Sequence, residues 1–105
     1  MTTQLKLSTR RGSDGIPVVT AAGEIDLSNA DSFRDALGQA APDGGRFVVD
    51  LTAVQYLDSA GLTVLFTHLS QIQLIAGPLL APVLTISGLA GITSVREPQD
   101  QDGNA

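Results

Sequence analysis

One stretch decides the fold: Phe47-Val48-Val49-Asp50-Leu51, then Thr52 to Leu57, then Asp58-Ser59-Ala60-Gly61-Leu62. The first run is apolar except for Asp50, as expected of a strand covered on both faces. Downstream of Ser59, apolar residues recur at the i, i+3, i+4, i+7 spacing of one helical face: Leu62, Leu65, Phe66 and Leu69. The sequence therefore predicts a strand, a short loop over 52–57, and a helix that begins at Ser59 and runs to about Ser70.

Upstream, the sequence predicts a β-hairpin followed by a helix. Residues 5–9 alternate apolar and polar, which is typical of an edge strand, 10–15 has the composition of a turn, and 16–22 forms the returning strand. Gly23 to Leu27 is predicted to leave that strand. Ser28 or Asn29 then caps a helix that ends near Gly38 and carries its apolar residues on one side: Ala30, Phe33, Ala36 and Leu37.

Downstream, almost no chain separates the helix that starts at Ser59 from a strand predicted over 72–76. Such connections usually need about two to six residues, so either the helix stops a turn early or this edge of the fold is compressed. A short helix starts near Pro82 and reaches Ser87, and 89–95 forms a last strand. The fold class is α/β, a mixed four- to five-stranded sheet with crossover helices. One domain covers 1–96, and 97–105 is a polar tail.

The composition excludes several classes of function. The 105 residues carry a formal net charge of -5, with only six Lys and Arg and no cysteine. Scattered cations cannot neutralise a phosphate backbone, so we expect no nucleic-acid partner. Disulfides and thiolate metal sites are absent. The chain begins without a charged region followed by an apolar run, so we expect a cytoplasmic protein with no membrane segment.

From Ser59 through Val95 the chain has no Asp, Glu, Lys or Arg. Two interpretations are open. The solvent-facing side of this half is built from Ser, Thr and Gln, or it is a low-charge surface that meets another protein, since interface cores are depleted in charge.

Five segments together resemble, in order, the STAS domain of bacterial anti-sigma factor antagonists. They are Gly23-Glu24-Ile25-Asp26-Leu27, Val48-Val49-Asp50-Leu51, Leu57-Asp58-Ser59-Ala60-Gly61-Leu62, Gly77-Pro78 and Ile86-Ser87-Gly88-Leu89. Each segment alone is a weak signal, but Asp-Ser-Ala-Gly-Leu at a strand-to-helix turn, downstream of Gly-Glu-Ile-Asp, is fairly specific.

The resemblance implies a partner-switching protein rather than an enzyme, with no cofactor and no metal. In that family the antagonist binds an anti-sigma factor that is also a serine kinase, and the sigma factor is freed. The kinase phosphorylates the motif serine, here Ser59, and a serine phosphatase resets the switch. The alternative is a STAS scaffold or small-ligand-sensing module that works without phosphorylation.

Each residue of the implied site also has a plain structural interpretation. Ser59 is interpreted as a helix cap and also as a phosphorylation site, since a capping position tolerates an added phosphate, whereas Asp26 is either a turn carboxylate or an acidic partner contact. Asp58 is interpreted as a loop residue that shapes partner contact. Gly61 either leaves the helix start open to a kinase or lets the helix pack on the sheet.

The full set of partner-binding residues implied by the resemblance is Asp26, Asp58, Ala60, Gly61 and Thr63. Asp50 is expected to end its strand by bonding to backbone amides. His68, the only histidine, has no partners at metal-ligand spacing, so no metal site is predicted. The short connection before residue 72 and the lack of a helix over 97–105 depart from the family pattern. Apolar surface exposed by that loss makes a homodimer a hypothesis.

Overall fold

The computed structural model describes residues 4–86 and 95–96. These residues form one five-stranded mixed sheet with its strands in chain order. The elements are β1 Lys6–Arg11, β2 Pro17–Ile25, α1 Ala30–Ala40, β3 Phe47–Leu57, α2 Ser59–Thr67, β4 Ile72–Ile75, α3 Ala81–Ile86 and β5 Val95–Arg96. The α/β class and the mixed sheet with crossover helices are as predicted.

The predicted hairpin is confirmed. β1 lies at the edge of the sheet and pairs antiparallel with β2, from Lys6 opposite Ala22 to Arg11 opposite Pro17. β2 does not stop at Ala22, however, but continues through Ile25. The expectation that the chain leaves the strand at Gly23 is therefore wrong, and the extra residues carry β2 to the same level as the end of β3.

β3 is a single strand, so the loop predicted over 52–57 is also wrong. Its parallel pairing with β2 shifts register twice, between Thr20 and Ala22 and between Gly23 and Glu24, and each shift places an extra β3 residue in the ladder. Such β-bulges break the period of two along the strand. The buried residues of β3 are consequently two and then three apart: Phe47, Val49, Leu51, Val54 and Leu57.

Asp50 lies within β3 and does not end it. Its Oδ1 accepts hydrogen bonds from Thr52 N at 3.0 Å and Thr52 Oγ1 at 2.8 Å. The predicted bond to a backbone amide is present, but it accompanies the first bulge rather than a strand end.

The helices pack on the sheet through one apolar core. β2, β3, β4 and β5 are parallel and adjacent in order, and α1 and α2 contact each other, so these two helices lie on the same face of the sheet. α1 contributes Phe33 and Leu37, and α2 contributes Val64 and Leu65, each at most 1% exposed. Full burial of such a side chain stabilises the fold by about 1.5–3 kcal/mol.

α2 ends at Thr67, one turn before the predicted end at Ser70. Of the two alternatives for the short connection, the early stop is therefore the correct one. Residues 68–71 form a tight turn in which His68 N donates to Leu65 O at 3.1 Å and Gln71 N donates to His68 O at 2.9 Å. β4 begins at the next residue.

The C-terminal part follows the predicted order as far as it is described. Pro82 lies in the first turn of α3, as predicted, and β5 pairs parallel with β4 through Leu74 and Val95. The predicted helix end at Ser87, most of the predicted strand over 89–95 and the tail over 97–105 lie outside the described residues. Among residues 4–86 and 95–96, no helix has the length and apolar character needed to cross a membrane.

Candidate functional site at the carboxyl edge of the sheet

β2 and β3 end side by side. Ile25 pairs with Leu57, and the amide of Asp58 donates to the carbonyl of Ile25 at 3.2 Å. The carboxyl ends of parallel strands share one edge of a sheet. The Gly-Glu-Ile-Asp motif that ends β2 and the Asp-Ser-Ala-Gly-Leu motif that follows β3 therefore form one surface, although they lie far apart in sequence. We call this surface the carboxyl edge and define it by the segments that follow β2, β3 and β4: 26–29, 58–60 and 76–80.

Asp58, not Ser59, caps α2. Its backbone is extended, with φ -97° and ψ -172°, and its side chain accepts from the amides of Ala60 at 2.9 Å and Gly61 at 3.3 Å. Two of the N–H groups that a helix start leaves unpaired are thus satisfied. The interpretation of Ser59 as the helix cap is therefore wrong, and Ser59 is the first helical residue.

The side chain of Ser59 is exposed. Its backbone carbonyl accepts from Thr63 Oγ1 at 2.8 Å, but within the described part of the chain its own hydroxyl has no hydrogen-bond partner. The hydroxyl is therefore accessible and has no role in holding the helix.

Gly61 is buried against the ends of β2 and β3. A Cβ at this position would lie 2.3 Å from Leu57 Cδ1 and 2.9 Å from Ile25 Cγ2. Both distances are far below van der Waals contact, so a side chain here would force the buried Leu57 and Ile25 side chains to shift, whereas glycine fits without any shift. Of the two interpretations of Gly61, the structure favours packing. Its direct contact with a partner stays a prediction.

Asp26 organises the turn between β2 and α1. Its Oδ1 accepts from Ser28 N at 2.9 Å and also from the Ser28 hydroxyl, while its own amide donates to Asn29 Oδ1 at 2.9 Å. Asn29 Nδ2 donates to Glu24 O at 2.9 Å. Asn29 occupies the predicted capping position of α1, yet its side chain bonds back to this turn and not to the helix start. Asp26 is thus a turn carboxylate, and its contact with a partner stays a prediction.

Ala60 and Thr63 lie on different sides of α2. Ala60 is half-buried and packs against the core, whereas Thr63 is exposed one turn after Ser59. Thr67, which the sequence reasoning missed, is exposed a further turn on and donates from Oγ1 to Thr63 O at 2.9 Å. Ser59, Thr63 and Thr67 thus form a row of exposed hydroxyl residues along α2. Their i, i+4, i+8 spacing in the sequence could have indicated this row.

His68 has a packing role. Its ring meets Phe47 edge to face, with centroids 6.3 Å apart, and its Nδ1 lies 3.0 Å from Val64 O. Within 4–86 and 95–96, no three His, Asp or Glu side chains come together in a way that could hold a metal ion.

Comparison with known protein families shows which family this chain belongs to. The model of the STAS domain family matches residues 9–80, which include β2, β3 and all of α2. The chain therefore belongs to the STAS domain family, and the resemblance stated from the sequence is confirmed.

Particular relatives are named as anti-sigma factor antagonists. The anti-sigma-F factor antagonist RsfB of Mycobacterium tuberculosis is 40% identical over 53 residues, which are 50% of this chain and 43% of RsfB. The match thus spans less than half of that relative. The crystal structure of an anti-sigma factor antagonist from Mycobacterium paratuberculosis has a TM-score of 0.81 at 27% identity and covers 94% of this chain and 90% of that chain.

The fold is also that of a protein solved with a phosphate attached. The Bacillus cell fate determinant SpoIIAA in its phosphorylated form has a TM-score of 0.67 at 15% identity, covering 92% of this chain and 95% of that chain. At this identity the likeness concerns the fold alone.

Proposed function

We propose that this chain is an anti-sigma factor antagonist that binds an anti-sigma factor with serine kinase activity and thereby frees a sigma factor. Phosphorylation of Ser59 ends the binding, and a serine phosphatase restores it. The observation that carries this proposal is the division of roles at the start of α2: Asp58 caps the helix, and the exposed Ser59 hydroxyl is left without a structural role.

The chemistry suits this position. The Ser59 oxygen attacks the γ-phosphorus of ATP, its proton passes to a base on the kinase, and ADP leaves. The new phosphate adds about -1.5 to -2 charges at a helix N-terminus, where the helix dipole favours negative charge. Since the cap is a different residue, the fold keeps its bonds from Asp58.

The same phosphate weakens binding. For transfer to occur, the partner must place the nucleotide phosphates opposite Ser59, and a phosphorylated Ser59 then faces ADP at close range. Like charges meet there, with Asp58 beside them, and a bulky dianion occupies space in which surfaces had been in contact. This repulsion destabilises the complex and does not change the stability of the free protein.

The relatives support this assignment. RsfB is named for antagonism of an anti-sigma factor, and the Mycobacterium paratuberculosis protein carries a similar description.

The test uses anti-sigma factors of the source organism, each purified and mixed with this chain and ATP. Intact mass should show one added phosphate on the wild type and on Thr67→Ala, and none on Ser59→Ala. Ser59→Asp should weaken binding at least about tenfold, because the new charge meets the nucleotide site. Its melting temperature should stay near that of the wild type. Phosphate that persists on Ser59→Ala contradicts the proposal.

The second candidate is a STAS module that binds a small ligand without phosphorylation. A shallow groove of about 310 Å³ lies beside Asp26, between the start of β1 and the start of α1, and is lined by Leu5, Leu7, Ser28, Asn29 and Ser32 among others. A ligand that co-purifies with the protein, together with partner binding that is indifferent to Ser59→Asp, would favour this candidate.

A further inference from the structure

Two leucines stand out at the carboxyl edge. Leu27 is 82% exposed and Leu79 is 62% exposed, the highest values among the large apolar residues that the structure describes. Leu27 follows β2 and Leu79 follows β4, while Ser59 follows β3, which lies between those strands in the sheet. Ser59 is therefore flanked by one exposed leucine on each side.

The turn that carries Leu27 is rigid. The amide of Asn29 donates to Asp26 O at 3.1 Å, and this bond closes the turn around Leu27. The side-chain bonds between Asp26, Ser28 and Asn29 described above hold the same turn. A leucine held at the tip of such a turn contacts a partner with little further loss of backbone freedom.

The turn that carries Leu79 is built similarly. The amides of Leu80 and Ala81 both donate to Gly77 O, at 3.2 Å and 3.0 Å. Leu80 is 3% exposed and anchors the turn in the core, so its neighbour Leu79 is presented outward. Gly77 also packs on β3, since a Cβ there would lie 3.6 Å from Thr52 O. Both leucines are thus displayed on preformed structure.

The charge of the carboxyl edge indicates which class of partner molecule can bind there. The carboxyl edge, residues 26–29, 58–60 and 76–80, contains Asp26 and Asp58 and no Lys or Arg, and Glu24 lies two residues before it, on β2. Lys6 lies below this edge, on β1 opposite Ala22, and Arg96 ends β5 opposite Ile75. The charged residues next to Leu27 and Ser59 are nevertheless the carboxylates Asp26 and Asp58. A second copy meeting the first through this edge would bring like charges together, and nucleic acid or an anionic membrane would be repelled. A protein surface that offers basic groups around apolar pockets is complementary.

We propose that Leu27 and Leu79 are the two apolar anchors by which the anti-sigma factor grips this edge, one on each side of Ser59. The inference rests on the function proposed above and adds the chemistry of the partner surface. A kinase holds ATP phosphates with cationic groups, so a basic surface facing Glu24, Asp26 and Asp58 is expected of that partner. Because neighbouring strands lie about 4.8 Å apart, the ends of β2 and β4 are about 10 Å apart on either side of β3. A standard interface buries about 800 Å² per partner, a patch roughly 30 Å across, which can include segments this close together.

The experiment measures the affinity of the purified anti-sigma factor that phosphorylates the wild type for Leu27→Ala, Leu79→Ala and the double variant. Loss of an interface anchor typically weakens binding about tenfold, so each single variant should show roughly that loss and the double variant more. The matched control is Ile16→Ala, because Ile16 is also an exposed aliphatic residue, 36% exposed, but lies at the opposite end of the sheet. Ile16→Ala should bind like the wild type. Raising the salt concentration should slow association.

The outcomes separate the two proposals. If no anti-sigma factor binds or phosphorylates the wild type, the proposed function fails and the anchors fail with it. If the wild type binds and is phosphorylated while both leucine variants bind equally well, the anchors are wrong and the function stands. An equal loss in Ile16→Ala, or a wild-type dimer that Leu27→Ala dissociates, also overturns the anchors. Leu27→Gln and Leu79→Gln replace any alanine variant whose melting temperature shows that it is unfolded.

Discussion

The two ends of α2 use their polar groups in opposite ways. At the start of the helix a single carboxylate, Asp58, caps the backbone, and the Ser59 hydroxyl is exposed. In the turn that follows the other end, Gln71 connects three parts of the chain: its Nε2 donates to Ala41 O at 3.3 Å and to Gly45 O at 2.9 Å, and its carbonyl accepts from Phe47 N at 2.9 Å. The start of α2 thus carries an exposed hydroxyl group, whereas the turn after α2 uses its polar groups to hold neighbouring segments together.

The difference has a physical cause. The turn after α2 lies against the loop between α1 and β3, whose Ala41 and Gly45 carbonyls are partly buried there, and a buried carbonyl needs a donor. The start of α2 faces solvent at the carboxyl edge, so water can bond to the backbone N–H groups that Asp58 does not cap. The following substitutions test this contrast in order of decreasing effect on stability.

The largest effect is expected where α2 approaches the sheet. Gly61→Val places side-chain atoms where Leu57 and Ile25 already lie, and we expect a loss of about 3 kcal/mol in the free energy of unfolding, near the top of the usual range for overpacked cores. Urea unfolding followed by circular dichroism measures it.

The matched control is Gly38→Val in α1, where a new Cβ would meet nothing within 4 Å. Valine is a slightly better helix former than glycine, so stability should be unchanged or should rise by a few tenths of a kcal/mol. Equal losses at both glycines would show that the close packing under α2 is not the cause.

The next effect is expected at the structural end of α2. Gln71→Ala removes the donor to two backbone carbonyls, and we expect a loss of about 1–3 kcal/mol in the free energy of unfolding. Gln39→Ala, an exposed glutamine on α1, is the control and should change stability by less than about 0.5 kcal/mol. Phosphorylation of the folded Gln71→Ala protein should proceed as in the wild type. A variant as stable as the wild type would mean that water replaces the amide.

The smallest effects separate the two neighbours at the functional end. Asp58→Ala removes the cap of α2 and should cost about 1 kcal/mol, whereas Ser59→Ala should change the free energy of unfolding by less than about 0.5 kcal/mol. Thermal and urea unfolding of the two variants, with Asp58→Asn as a variant that still caps, provide the measurement. A larger loss for Ser59→Ala than for Asp58→Ala would reverse the assignment of roles.

Where the sequence pattern was regular, it predicted the structure well. Alternation predicted β1 and its hairpin partner, and the spacing of Phe33 and Leu37 predicted the buried side of α1. The prediction was wrong in β3, where pairing with β2 changed the spacing of the buried residues. The two bulges in β3 shift its buried residues from every second to every third position, so a continuous strand looked like a strand and a loop.

The site was predicted in part. The motif around Ser59 was found from the sequence, but the cap was assigned to Ser59 because both Asp and Ser suit that position. Only the extended backbone at Asp58 decides between them. Leu27 and Leu79 gave no signal, since an exposed leucine in a loop has the same sequence pattern as a buried one.

By itself, the sequence determined the α/β class, the order of the elements and the serine at a strand-to-helix turn, because these depend on residues close together in the chain. Only the tertiary structure decided that β2 and β3 end at the same level, that Gly61 must lack a side chain, and that Asp58 frees the Ser59 hydroxyl. These features depend on atoms from distant segments meeting within a few ångströms, and strand register and helix packing, which no local pattern encodes, set those distances.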